Sequence, residues 1–237
     1  MAKKIYSDTN VGTSKLFISE EKNTGVAAIL LDKDTGDNAI SVIPGAAGDL
    51  TIEDINDAEN EIKNASFFLT QLEAPIDVVI HSLKIAKKHN VTTILNPAPA
   101  AKLDKEIFPL IDYFTPNETE ASFYVNKEIK DEKDAKNSSK NLLDLGIKNV
   151  IITLGASGVY FENKNDNFFI PSLGLGSRVK DTSGAGDAFN GAFATALCES
   201  KSIKDALKFA NTFAGISTTR IGTANSMPTR SEIDKLL

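Results

Sequence analysis

The chain has 237 residues and a mass of 25.5 kDa, with 41% hydrophobic and 24% charged residues, enough to bury a core and ordinary for a soluble globular protein. Its formal charge of −6 comes with lysines scattered among acids, as in Asp131-Glu132-Lys133-Asp134-Ala135-Lys136, so nucleic-acid and anionic-membrane partners are disfavoured. A lone Cys198 allows no internal disulfide and is expected as a buried small hydrophobe; no stretch approaches the ~20 apolar residues of a membrane span, so a cytoplasmic location is expected.

In chain order, the apolar runs Val26–Leu31 and Ala39–Ile43 flank turn chemistry at Asp32–Asn38 and predict a β-hairpin. Thr51 with Asp54 three residues on predicts a helix start, followed by Ile55, Ala58 and Ile62 on one face. The pattern then alternates: strand Phe67–Leu69, helix Pro75–Lys88, strand Val91–Leu95, helix Asp104–Leu110, strand Tyr113–Thr115, helices Glu118–Val125 and Asp131–Leu145, and strand Val150–Leu154. Strand–helix–strand rhythm argues for parallel pairing with right-handed crossovers. A second hairpin is expected at Val159–Glu162 and Phe168–Ile170, and helices at Ile203–Ile216 and Arg230–Leu237 close the chain. In such a sheet the crevice lies beyond the carboxyl ends of the strands, where Glu73, Asn96, Asn117, Glu118, Gly155 and Ser157 fall.

The most informative stretch is Asp181-Thr182-Ser183-Gly184-Ala185-Gly186-Asp187, which delivers a glycine-containing loop into a helix running from Phe189 to Leu197. Helix N-termini present unpaired amides and the positive end of the macrodipole, and glycine lets a phosphate approach them. A carboxylate at Asp187 would repel that phosphate, so it is better placed to take the proton of a hydroxyl attacking it. The residues alone leave a second reading open, in which Asp187 caps the helix. No Gly-x-x-x-x-Gly-Lys-Ser/Thr loop is present, and Gly174-Leu175-Gly176 lacks the third glycine of a dinucleotide fingerprint. His81 and His89 read as two solvated surface side chains, and no histidine suits a hydrolytic triad.

The segment Asp181–Gly191 resembles the second signature of the ribokinase-like (PfkB) sugar kinases, and nearly the whole chain from about Thr24 is similar to that family. Supporting it, in the family's order, are Gln71-Leu72-Glu73, Asn96-Pro97-Ala98-Pro99-Ala100, Thr115-Pro116-Asn117-Glu118-Thr119-Glu120-Ala121 and Thr153-Leu154-Gly155-Ala156-Ser157-Gly158. The first two favour the members that phosphorylate ribose. The resemblance implies an α/β fold: an open, mostly parallel sheet flanked by helices on both faces, with a partial β lid at residues 26–43 that pairs between subunits of a homodimer. It implies ATP-dependent phosphorylation of D-ribose at its primary (5-) hydroxyl, with Asp187 as base and the amides of Gly184, Ala185 and Gly186 as anion hole. Asn117, Thr153, Leu154, Gly155, Ala156, Ser157, Gly158 and Asn211 match positions that contact ATP, alongside Gly186 and Asp187, and Glu73 matches one that reaches the sugar. Asp181, Ser183, Ser217, Arg220, Gly222 and Ser226 match loops that hold K+, and Mg2+ would arrive with ATP, assisted through water by Glu120.

Family members begin with several tens of residues that supply the first strands, part of the lid, a sugar-gripping Asp and a Gly-Gly motif. This chain has no Gly-Gly dipeptide, and residues 1–23 are short and polar. The expectation is therefore one N-terminally truncated kinase domain over residues 1–237, with its nucleotide half intact and most of its sugar-binding half absent. The alternatives are a non-catalytic nucleotide-binding remnant and a family kinase for another sugar or nucleoside.

Overall fold

The computed structural model describes residues 2–31 and 38–237. It opens with a short helix, α1 (Ala2–Asp8), that the polar N-terminal sequence did not suggest. The first hairpin is present as two antiparallel strands, β1 (Thr24–Leu31) and β2 (Asn38–Gly45), with Val26 opposite Ile43 and Ala28 opposite Ser41. Of its expected turn, residues 32–37 lie outside the described residues. Thr51 caps α2 (Ile52–Asp57): its hydroxyl accepts from the Asp54 N–H, and the Asp54 carboxylate accepts from the Thr51 N–H. The single helix expected there breaks at Ala58, whose φ of −95° and ψ of 2° end one helix, and resumes as α3 (Glu59–Lys63).

From Phe67 the expected alternation holds to within one residue at each boundary: β3 (Phe67–Thr70), α4 (Ile76–Lys88), β4 (Thr92–Leu95), β5 (Tyr113–Phe114), α5 (Glu118–Val125), α6 (Glu132–Asp144), β6 (Asn149–Thr153), β7 (Gly158–Asn163) and β8 (Asn167–Pro171). The exception is the helix expected at Asp104–Leu110. It is a 3-10 helix over Lys105–Leu110, because Pro109 inside it lacks the N–H that a continuing α-helix needs. The six strands pair in the order β3-β4-β5-β6-β7-β8, β3 to β6 parallel and the last two antiparallel. α7 (Ala185–Cys198), α8 (Ile203–Ser217) and α9 (Arg230–Asp234) follow, α9 ending before the expected Leu237.

Strand alternation decides the layers. Leu95, Phe114, Val150, Ile152 and Tyr160 face one side with Leu83 of α4, Ala121 of α5 and Leu142 of α6. Ile94, Ile151, Val159 and Phe161 face the other with Phe189 and Phe193 of α7 and Leu207 of α8. Both faces are covered, which is why these strands can be apolar without interruption. β1 and β2 form a separate two-stranded sheet, and β3 is an edge of the larger one.

Two side chains depart from expectation. Cys198 is exposed, because α7 ends there, one residue past Leu197, the last of its side chains packed against the core. The histidines are half-buried clamps between helices and are not simply solvated: His81 Nε2 pairs with Asn56 Oδ1 at 2.7 Å, and His89 Nε2 with Glu59 Oε1 at 2.6 Å. Lys88 and His89 together pull the Glu59 carboxyl down to about 2.

Candidate active site

The carboxyl ends of the parallel strands open on one mouth. Gln71 and Glu73 follow β3, Asn96 follows β4, Thr115 and Asn117 follow β5, and Leu154 to Gly158 join β6 to β7. The N-terminus of α7 is brought to that mouth by two side-chain hydrogen bonds: Gln71 reaches Asp187, and Thr115 reaches Asn190.

Gly184 sets the entry to α7. Its φ of 74° is left-handed, and a Cβ there would also meet Thr223 at 3.3 Å, so the position suits glycine on two counts. As first-turn amides, those of Gly186 and Asp187 have no intrahelical acceptor. Apart from its chain neighbours and the backbone of its own helix, no described atom lies within 4 Å of the place where a Gly186 side chain would stand, so donors and open space coincide. Asp187 is the third helical residue and is exposed. It does not cap the helix, since Gly184 holds the N-cap without any side-chain bond; Asp187 Oδ1 instead accepts from Gln71 Nε2 at 3.1 Å.

Along the same mouth, Asn117 caps α5 in a reciprocal box with Glu120 and bridges to Thr153, whose N–H donates to Pro116 O at 3.0 Å. Asn117 is thus a helix cap and a crevice residue together. Both oxygens of Glu120 are engaged by Asn117, Oε2 by its N–H at 2.8 Å and Oε1 by its side-chain amide at 3.1 Å. Burial pushes the Glu120 carboxyl up, and it does the same to Glu118, whose Oε1 lies 3.5 Å from the Cβ position of Gly155. Gly158 admits no side chain: at φ 136° a Cβ would stand 2.1 Å from Ile170 O. Its strand partner is Pro171, whose carbonyl accepts from Asn211 of α8 at 2.9 Å. The structure thereby links Asn117, Thr153 to Gly158 and Asn211 along one edge of the crevice. Glu73 stands apart; it is exposed, and no hydrogen bond ties it to the other site residues among the described residues.

Behind α7, buried Asp181 joins two loops. Its oxygens accept from the N–H groups of Gly222 and Ser183, each at 2.9 Å, and these hold its carboxyl below the usual range. The Ser217 and Ser226 hydroxyls donate to the carbonyls of Ala214 and Thr223 at 2.7 Å each. The Arg220 guanidinium pairs with Glu232 and lies 3.5 Å from Ser226 O. This set offers one carboxylate, hydroxyl lone pairs and backbone carbonyls, and no group of three His, Cys, Asp or Glu is found among the described residues. Such a donor set fits a monovalent cation better than a divalent one.

Sequence reading named Gln71 only as part of a segment and gave Asn190, Thr115 and Thr223 no role. Asn190 carried a signal, being a polar residue among Ala188, Phe189, Ala192 and Phe193 on a helix; it is buried, and its amide donates to Gly186 O at 2.9 Å.

An open, mostly parallel sheet whose strand ends face a glycine-opened helix N-terminus and a neighbouring carboxylate defines an α/β protein built to handle phosphate groups. Residues 1–230 match the pfkB family carbohydrate kinases, and the chain belongs to that family of phosphotransferases with an alcohol group as acceptor. It is 38% identical over 228 residues to a ribokinase of Staphylococcus aureus, covering 96% of this chain and 74% of the relative. The crystal structure of ribokinase from Thermotoga maritima superposes with a TM-score of 0.84 at 35% identity, covering 99% of this chain and 75% of that one. Arabidopsis thaliana ribokinase, solved in complex with ribose and ATP, superposes with a TM-score of 0.80 at 30% identity, covering 91% of this chain and 70% of that one.

Proposed function

We propose that this chain transfers the γ-phosphoryl group of ATP to the primary (5-) hydroxyl of ribose. The observation that carries the reading is the juxtaposition at α7: a left-handed Gly184, open space over Gly186 and an exposed Asp187 carboxylate at the strand ends. In this reading the sugar oxygen attacks the γ-phosphorus, the new O–P bond forms as the bond to ADP breaks, and Asp187 takes the hydroxyl proton. The amides of Gly184 and Gly186 receive the transferred phosphoryl oxygens, joined by that of Ala185, whose N–H donates to Thr182 O at 3.2 Å and would turn from it to reach the phosphoryl group. Asn117, the Thr153–Gly158 connection and Asn211 hold the nucleotide, and Glu73 reaches the sugar.

Magnesium would enter with ATP and offset the charge of its phosphates. Glu120, spent on Asn117, would contribute only through its remaining lone pairs. Potassium would be held by Asp181, Ser183, Ser217, Arg220, Gly222 and Ser226, largely through carbonyl oxygens. Held by those residues, it would supply positive charge to the loops that carry Gly184 and so help to order the anion hole. The 237 residues act as one kinase unit in the cytoplasm, and residues 26–43 serve as a partial lid that pairs between two copies. Among the described residues no helix is long and apolar enough to cross a membrane.

The test is ribose-dependent ADP release with magnesium and potassium present. Asp187→Asn is expected to lower turnover by roughly 10²–10⁴-fold, the range for a general base, while ATP affinity stays within about twofold. Loss of transfer and ATP binding together would make Asp187 a structural residue. A second reading, nucleotide binding without transfer, is favoured by the sugar side, where Glu73 is exposed and β3 has an open edge. Calorimetric ATP binding without turnover by the folded chain would support it, and absence of ATP binding would sink both.

A further inference from the structure

The carbonyls of Thr115 and Gly186 fix the direction of a hydrogen-bond chain that ends on Asp187. Carbonyl oxygens only accept, so Asn96 must turn its Nδ2 to Thr115 O, at 2.8 Å, and its Oδ1 the other way. That Oδ1 accepts from Gln71 Nε2 at 3.0 Å. The second hydrogen of the same Gln71 amide is left for Asp187 Oδ1, at 3.1 Å. A parallel arm starts from the same residue: Asn190 gives its Nδ2 to Gly186 O at 2.9 Å, so its Oδ1 accepts the Thr115 hydroxyl at 2.7 Å. Thr115, Asn96 and Asn190 are all buried. The backbone on either side of Gln71 is also held, by Asn96 N–H to Thr70 O at 3.0 Å and Leu72 N–H to Ala98 O at 2.9 Å. The Asn96 and Gln71 amides each have one allowed orientation, so the amide presented to Asp187 cannot flip without leaving the buried Asn96 Oδ1 unpaired.

We propose that Gln71 is a positioning residue: it holds Oδ1 of Asp187, through Asn96 and the β5 end, so that Oδ2 is the oxygen turned to the incoming hydroxyl. This rests on the reading of Asp187 as the base. Gln71 moves no proton itself. It ties the reacting carboxylate of α7 to the strand end that also carries Glu73, and thereby fixes the distance between base and sugar site. Glutamate at this position would offer no donor to either Asn96 Oδ1 or Asp187 and would set two carboxylates against each other.

The experiment has two arms on the 237-residue chain. In the first, the side-chain amide resonances of Gln71 are followed by NMR in the wild-type chain and in Asp187→Ala; a shift is expected, and its absence overturns the contact. In the second, Gln71→Glu and Gln71→Met are assayed with ribose and ATP beside Asp187→Asn. The expected result for both Gln71 variants is a fall in kcat of about tenfold or more, as for a misplaced reacting group, with the KM for ATP within about twofold. Wild-type kcat in both variants, or a raised KM for ribose with kcat unchanged, overturns the positioning role while leaving Asp187 as base. A wild-type chain without turnover, or Asp187→Asn turning over like wild type, removes the base reading and this proposal with it.

Discussion

β6 and β1 are both runs of aliphatic residues, yet one is the centre of the protein and the other, among the described residues, keeps most of its side chains exposed. In β6, Val150, Ile151 and Ile152 are fully buried because the α5–α6 layer and the α7–α8 layer close over both faces. In the hairpin, Leu30 is 74% exposed, Val26 61% and Ile43 64%, and Val42 on the opposite face is 56% exposed. A two-stranded ribbon has no face of its own to bury and is marginal in water. The difference teaches that apolar strand sequence gives stability only where a second layer exists.

The contrast is broken most directly by truncating a side chain on each side of it. Phe193→Ala removes a fully buried ring that meets Tyr113 edge-on at 5.3 Å between centroids, and urea unfolding should show a loss of about 3–5 kcal/mol. An equal loss at Leu30→Ala would erase the distinction between the two regions.

The far end of the sheet gives the next largest effect. Buried Asp112 accepts from Lys148 at 2.6 Å, Lys87 at 2.8 Å and the Thr93 N–H at 2.9 Å. Burial alone would raise its carboxyl; those partners outweigh it and hold the pKa below the ordinary 3.8. Asp112→Asn should cost about 2 kcal/mol at neutral pH. A depressed carboxyl stabilises the fold above its unfolded pKa and loses that contribution as pH falls through the folded value, so the gap between variant and wild type should close below about pH 4. A gap that stays constant in acid would show that the charge is not what matters.

Thr51→Ala tests the periphery of the body, where the reciprocal cap holds α2; a loss of about 1 kcal/mol is expected from thermal unfolding. The smallest effect sharpens the comparison from the hairpin side. Leu30→Ser should change monomer stability by less than about 0.5 kcal/mol, and the β1–β2 amides should exchange with solvent far sooner than those of β6. If Leu30→Ser leaves sedimentation at high concentration unchanged while the wild type self-associates, the association surface lies elsewhere.

Local chemistry made much of this protein legible from its sequence. The Thr51–Asp54 box, the strand–helix rhythm and the glycine loop before α7 depend on interactions within a few residues, and each appears where its residue types predict; the Asn117–Glu120 box is equally local but emerged only with the structure. Long-range packing decided the rest. Ala58 breaks a helix whose apolar spacing is continuous, Cys198 lies past the point where α7 meets the core, and His89 finds Glu59 on a neighbouring helix. No spacing rule joins Gln71, Asn96, Thr115, Asn190 and Asp187, because these residues meet only when the carboxyl ends of β3, β4 and β5 are set against the start of α7. The sequence by itself determined most of the elements and the glycine-opened entry of one loop into a helix, since these follow from backbone geometry and periodicity. The tertiary structure alone decided which carboxylate oxygen is held, which strands are covered and which remain open, since those depend on distances between segments that the chain order does not encode.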